Sequence, residues 1–315
     1  MNRKAIIFGI KGYKLSKDEK FLFNKFKPWG IILFSRNIKS IAQTKSLTNS
    51  IKNLFNDNKY PILIDQEGGK VSRLNKIIDL SFFSQNFFGE LYSRDKKLFS
   101  NIYKNYIDKV CEILFSIGIN INTVPVLDVR TKKSHDVIGT RSFSNEHKKV
   151  SKLGNLCIYH HEKSKIATVI KHIPGLGLSK CDSHFRKPTI NENKKKLINK
   201  DFRPFKECKS LFAMTAHATY FAYDSQNTAT HSKIIIKNVI RNYMKFKGIL
   251  ISDDISMKAL KYGIEKNALK ALYAGCNLVL HCNGNMKEMR KLANIIPNID
   301  KFTKKKTEHF YKFLG

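Results

Sequence analysis

A (β/α)8 barrel is the fold class this sequence predicts: α/β, TIM-like, one domain over 1–315. Three observations predict it. Short apolar runs rich in β-branched residues alternate eight times with amphipathic helical stretches along the 315 residues, the pattern of parallel strands joined by crossover helices. Polar residues (Asp65, Asp128, Lys171, His217 and Asp253) fall at the C-terminal ends of these runs, and in a closed barrel those ends converge on the face that hosts an active site. The main rival, a doubly wound open sheet, lacks its signatures: no G-x-G-x-x-G follows the first run and no Walker A motif occurs. No Pro/Gly/Ser-rich linker and no internal repeat divides the chain.

The elements follow in order. The first strand is predicted over 5–10, then a helix from Lys17, a second strand over 30–34 and a helix over 41–55. The third strand, 61–64, ends in Asp65-Gln66-Glu67-Gly68-Gly69. A loop rich in Phe and Ser leads to a helix over about 98–117, which Gly118 ends as a C-cap. The fourth strand is expected over 119–127, closing on Asp128, with a loop through Gly139-Thr140-Arg141 and a helix over 146–163 after it. The fifth strand, 166–170, delivers Lys171 and His172. A helix over 191–208, a strand over 211–214 ending near His217, and a helix over 234–245 come next. The seventh strand, 248–251, ends in Ser252-Asp253-Asp254; a short helix to Ala274, an eighth strand over 277–280 and one Lys-rich terminal helix complete the pattern.

Composition excludes several classes. Aliphatic and aromatic content is ordinary, which argues against disorder. No apolar run approaches the roughly 20 residues that span a bilayer, and the start of the chain has only a short apolar run with no cleavage-site pattern, so no secretory signal and no membrane partner are expected. The six cysteines (111, 157, 181, 208, 276, 282) form no C-x-x-C pair, the usage of free thiols in a reducing cytosol. Cys181 beside Asp182 has no elbow motif to make it a nucleophile. The net charge of +33 is mostly lysine, spread along the chain and mixed with Asn and Ile. AT-rich codon drift accounts for such a bias, and without a one-sided basic helix, zinc finger or RNP motif no nucleic-acid partner is expected.

The chemistry concentrates in Lys171 to His184. After a clean strand, Pro174, Gly175 and Gly177 make an irregular loop, and Asp182 and His184 stand one residue apart. Residues i and i+2 of an extended segment share a side, so the carboxylate can fix the imidazole tautomer and favour its protonated form, as a proton-transfer pair requires. Asp253, on a rigid strand end, is placed to attack an electrophilic carbon or hold a cation; Asp254 points away by alternation and reads as structural or capping. Asp65 and Arg73, flanking two glycines, suit paired sugar hydroxyls. Asp65, Glu67, His172, Asp182 and His184 could be considered metal ligands, but they match no ligand spacing and Lys171 adds a repelling charge; no metal and no cofactor are expected.

Four segments carry a resemblance: Ile64-Asp-Gln-Glu-Gly-Gly-Lys-Val-Ser-Arg73; Pro125-Val-Leu-Asp-Val129 with Val137-Ile-Gly-Thr-Arg-Ser-Phe143; Lys171-His-Ile-Pro-Gly-Leu-Gly177 with Asp182-Ser-His184; and Ser252-Asp-Asp-Ile-Ser-Met257. They resemble, in order along most of the chain, the bacterial β-N-acetylglucosaminidases of glycoside hydrolase family 3, in their compact single-barrel form. The resemblance implies a retaining exo-glycosidase that removes terminal N-acetylglucosamine from peptidoglycan fragments in the cytosol, as a monomer. By position it implies Asp253 as nucleophile, His184 as acid/base supported by Asp182, and Asp65, Arg73, Arg141, Lys171 and His172 as ligands of the terminal sugar. The chain departs from the family pattern at Lys70, Thr140 and Ile173, none of which removes a reacting group. A phosphorylase on the same substrates, since a histidine partner tolerates an anionic acceptor, and a decayed sugar-binding protein are the alternatives.

Overall fold

Strand segments such as Ile62–Ile64 are apolar at every position because both of their faces are covered: the inner by the barrel core, the outer by helices. The computed structural model describes residues 2–131, 138–179 and 188–315. Eight strands close into one parallel barrel: Lys4–Gly9, Pro28–Leu33, Ile62–Ile64, Ile121–Asn122, Ala167–Ile173, Phe212–Thr215, Ile249–Asp254 and Leu278–His281. Each pairs with its neighbours in sequence order, and the first meets the last through Ile6 opposite Val279. The fold is the expected (β/α)8 barrel. No helix among the described residues is long and apolar enough to cross a membrane.

Local sequence sets the helix ends. Ser16 and Glu19 form a reciprocal capping box on helix Lys17–Phe26, with Ser16 Oγ accepting from the Glu19 amide at 3.1 Å and Glu19 Oε2 accepting from the Ser16 amide at 2.8 Å. Helix Lys96–Ser116 ends as anticipated at Gly118, whose φ of 77° is left-handed and whose missing Cβ leaves room for Thr48 Oγ1. The N-terminal end of the barrel is plugged by aromatic packing. Trp29 and Phe212, from the starts of the second and sixth strands, stack edge-on at 5.7 Å, and Phe310 of the terminal helix meets both. Trp29 Nε1 donates to Thr307 Oγ1 of that helix at 2.9 Å.

Several elements differ from the sequence reading. The Phe/Ser-rich stretch read as a loop contains a helix, Gln85–Arg94, capped by Ser84 Oγ accepting from the Phe87 amide. The fourth strand pairs regularly only over Ile121–Asn122, because Pro125 has no N–H to donate; the chain rejoins the sheet where the Leu127 amide donates to Lys171 O at 2.7 Å. The helix expected over 191–208 is broken into a short turn Lys194–Lys196, a π-helical turn Leu197–Asp201 and helix Arg203–Glu207, since Pro204 starts a new helix. The segment Ile235–Tyr243 is π-helical. Pro297 divides the expected terminal helix into Met286–Ile295 and Lys301–Leu314. A small sheet of Thr189–Ile190, Thr219–Tyr220 and Asp224–Thr228 was not foreseen; its segments are too short to carry a period.

Candidate active site

The C-terminal strand ends surround a cleft of about 200 Å3, and six of the residues singled out in the sequence line it: Asp65, Arg73, Arg141, Lys171, His172 and Asp253. Asp182 and His184, like Cys181, lie outside the described residues.

Lys171 is the electrostatic hub. It is 2% exposed, and its ammonium has three N–H donors. They are engaged by Asp65 Oδ1, by Glu67 Oε1 at 2.6 Å and by Thr123 Oγ1 at 3.0 Å. Asp65 in turn accepts from Arg73 Nη2 at 2.8 Å and from Thr123 Oγ1 at 2.6 Å. Arg141 holds Glu67 in a two-pronged pair, Nε to Oε2 at 2.7 Å and Nη2 to Oε1 at 2.8 Å. Burial opposes the charge on Asp65, but Lys171 and Arg73 outweigh it and hold the carboxyl far below the usual range. Burial likewise opposes the charge on Glu67, and Arg141 and Lys171 overcome it. Two carboxylates and three cations thus form one continuous charged wall, in which the Lys171 ammonium organises its neighbours.

Asp253 faces this wall from the seventh strand. Its Oδ1 accepts from the Asp254 amide at 2.8 Å. Burial pushes its pKa up, yet His217, His172, that amide and Lys171 together keep it below the ordinary aspartate value, so it is an anion at neutral pH. A half-buried carboxylate fixed by its own strand and held ionised can act as a nucleophile. Asp254 does not point away, as alternation predicted, but lines the same cleft; its carboxylate serves local structure, accepting from the Ser256 amide at 3.1 Å, Ser256 Oγ at 2.8 Å and the Cys282 amide at 3.3 Å.

Two histidines lie near Asp253, and one of them holds the backbone next to it. His217 Nε2 donates to Asp254 O at 3.0 Å, which leaves Nδ1 to accept from Thr230 Oγ1 at 2.7 Å. Burial lowers the His217 pKa more than Asp253 raises it, in keeping with a neutral ring. His172 Nδ1 donates to the fully buried Asp128 at 2.7 Å, and Asp128 also takes the Leu176 amide at 2.6 Å.

Sequence reasoning named Glu67 only as a metal ligand to be set aside, and missed Thr123 and Gln85. Glu67 was findable, since it lies two residues after Asp65 and so on the same side of an extended segment. Gln85 was hidden in the helix read as loop. It bridges two site segments, donating to Val126 O at 2.9 Å and Arg141 O at 2.6 Å while accepting from the Val126 amide at 3.0 Å. The buried thiols of Cys111, Cys157 and Cys276 are pushed up to about 12 by burial, and a thiol that stays protonated is a poor nucleophile.

Comparison with known proteins agrees with this geometry. The model of the glycosyl hydrolase family 3 N-terminal domain matches residues 7–309. The β-hexosaminidase of Haemophilus influenzae is 30% identical over 301 residues, covering 92% of this chain and 83% of that protein. β-Hexosaminidase A of Pseudoalteromonas piscicida is 30% identical over 258 residues and longer: the match takes in 76% of this chain but 43% of that protein. Among solved structures, NagZ from Neisseria gonorrhoeae in complex with N-trifluoroacetyl-D-glucosamine superposes with a TM-score of 0.86 at 28% identity, over 98% of this chain and 90% of that one. The barrel, the strand-end carboxylates and these matches lead to one assignment: the chain belongs to glycosyl hydrolase family 3, among its β-hexosaminidases, and is a glycoside hydrolase.

Proposed function

We propose that this chain is an exo-acting, retaining β-N-acetylhexosaminidase that removes terminal β-linked N-acetylglucosamine from peptidoglycan fragments in the cytosol, working as a single-domain monomer without a cofactor. The observation that carries the reading is the ionised Asp253 on one side of a small cleft whose opposite wall is the Asp65–Lys171–Glu67–Arg141 network. About 200 Å3 is small beside the roughly 300–1,000 Å3 of drug-sized ligand pockets; it suits one terminal sugar ring. The Neisseria neighbour holds an N-acylated glucosamine analogue, which supports the same sugar class here.

In the first step Asp253 attacks the anomeric carbon, forming a C–O bond as the glycosidic C–O bond breaks through an oxocarbenium-like transition state. Protonated His184, oriented by Asp182, gives its proton to the departing oxygen. Water then attacks the glycosyl-enzyme with neutral His184 taking its proton, which restores Asp253 and releases the β-anomer. Asp65 and Arg73 present an acceptor and a donor to the sugar hydroxyls, and His172 and Arg141 complete the walls.

The reading is tested with two substrates of different leaving-group quality. The chain should release dinitrophenol from the N-acetyl-β-glucosaminide and cleave an N-acetylglucosaminyl disaccharide. His184→Ala should lose roughly 10²–10⁴-fold on the disaccharide, which needs the proton, and far less in the glycosylation step of the aryl substrate, which does not. No turnover of either substrate overturns the assignment of activity; equal losses on both remove His184 from the acid role.

A further inference from the structure

Asp201 is a fully buried carboxyl that the proposed reaction does not use. It ends the π-helical turn Leu197–Asp201, and such turns recur at functional sites. Neither of its oxygens meets full hydrogen-bond geometry, the Gly177 amide being its nearest backbone donor among the described residues. A side chain in that position would be costly as an anion, so an isolated buried carboxyl keeps its proton instead. Burial and the neighbouring Asp128 push its pKa well above the ordinary value, with Glu192 adding to the rise; Lys200 and the Gly177 amide pull the other way. Tyr220, whose own pKa burial and Asp201 raise, also faces it.

What Asp201 packs against gives this burial a purpose. Gly175 adopts a φ of 138°, and a Cβ built there would come within 2.6 Å of Asp201 O and 2.9 Å of its Oδ2. The carboxyl is therefore seated directly on the glycine bend that leaves the fifth strand. The same bend is held from two other sides: Tyr220 Oη donates to Gly175 O at 2.5 Å, and the Leu176 amide donates to Asp128. Leu176 and His172, the latter also tied to Asp128, both line the cleft.

We propose that Asp201 is a positioning residue, an uncharged carboxyl that with Tyr220 and Asp128 fixes the Pro174–Gly177 bend and so the cleft wall formed by Leu176 and His172. An ionised Asp201 would set a buried, unscreened charge against this bend and push the wall out of place. The catalytic consequence rests on the glycosidase reading above; the protonation and the bend do not.

The test compares wild type with Asp201→Asn, which keeps the shape without a titrating proton, and Asp201→Ala, which removes the packing. A carboxyl whose folded pKa lies above the unfolded ~3.9 holds a proton that the unfolded chain gives up, so its stability contribution is lost as pH rises through that window. Asn should therefore raise Tm by at least about 2 °C at pH 8, and by less at pH 5. In Asp201→Ala, hydrogen exchange of the Leu176 amide should speed up at least about tenfold, and kcat on the disaccharide should fall about as much, with Asn restoring both to within about twofold of wild type. An Asn variant less stable than wild type at pH 8 means that Asp201 is an ionised, partnered carboxylate and overturns the proposal. Unchanged Leu176 exchange in the Ala variant overturns the positioning role. A wild type without glycosidase turnover defeats the proposed function alone, since Tm and amide exchange still decide the fate of Asp201.

Discussion

Lys171 illustrates how much a side chain's role depends on partners far away in the chain. The sequence presents it as a donor to sugar hydroxyls at a strand end. In the structure its donors are already engaged by Asp65, Glu67 and Thr123, and Asp65 lies 106 residues away. Its removal therefore does more than weaken a sugar contact. Lys171→Met leaves the buried Glu67 and the half-buried Asp65 short of a counter-charge, and breaking a buried pair typically costs about 3–5 kcal/mol. A thermal melt should show a clear loss of Tm, part of which Glu67→Gln in the same chain should restore by removing one of the orphaned charges. A Lys171→Met protein that melts like wild type would show that the network contributes nothing to the fold. Asp65, Lys171, His172 and Asp253 were legible because each stands at the end of an apolar run, whereas Arg141, on a loop, was indicated only by the family resemblance. The pairing of the site's groups was not legible, because Asp65–Lys171, Glu67–Arg141 and Asp128–His172 are joined by barrel closure and not by spacing.

At the scale of elements, the barrel strands could be read because both faces are apolar, and the crossover helices because their apolar faces recur at helical spacing. The reading failed where a local rule was overridden. Helix Gln85–Arg94 looked like a loop because Phe and Ser crowd its start, although Ser84 supplied a cap signal. The fourth strand and the 191–208 segment were interrupted by Pro125 and Pro204, and the terminal helix by Pro297. The overlooked helix matters to the site through Gln85. Gln85→Ala strips the Val126 amide and carbonyl and the Arg141 carbonyl of their partner, a loss of about 1–3 kcal/mol for buried groups left unsatisfied. Because Arg141 holds Glu67, KM for an aryl glycoside should rise severalfold while kcat changes less. Steady-state kinetics with unchanged KM would mean that the Gln85 bridge serves stability alone.

At the scale of the whole molecule, pH acts on stability through neutral histidines buried outside the cleft. His161 is buried with Nδ1 donating to Cys157 O at 2.9 Å and Nε2 against Asn122 Nδ2 at 3.2 Å; burial pushes its pKa down to about 4. Burial also lowers His231 to about 4. With folded values below the unfolded ~6.5, each contributes fully above that pH, and the contribution is lost as pH falls from 6.5 towards 4, where the unfolded chain binds the protons more readily. Tm should drop steadily over this window, and His161→Gln should flatten part of the slope; a flat profile in wild type would mean the rings are not held neutral. These buried rings lie apart from Asp253, the residue proposed to form the bond to the sugar. The most direct measurement is to trap the glycosyl-enzyme with a fluorinated N-acetylglucosaminyl donor that turns over slowly, digest the protein and locate the added mass. One sugar per chain is expected, on the peptide containing Ile251-Ser252-Asp253-Asp254 and on Asp253 itself, with no label on Asp253→Ala. Label on Asp254 or on any other residue, or hydrolysis that yields the α-anomer first with no covalent adduct, would contradict it.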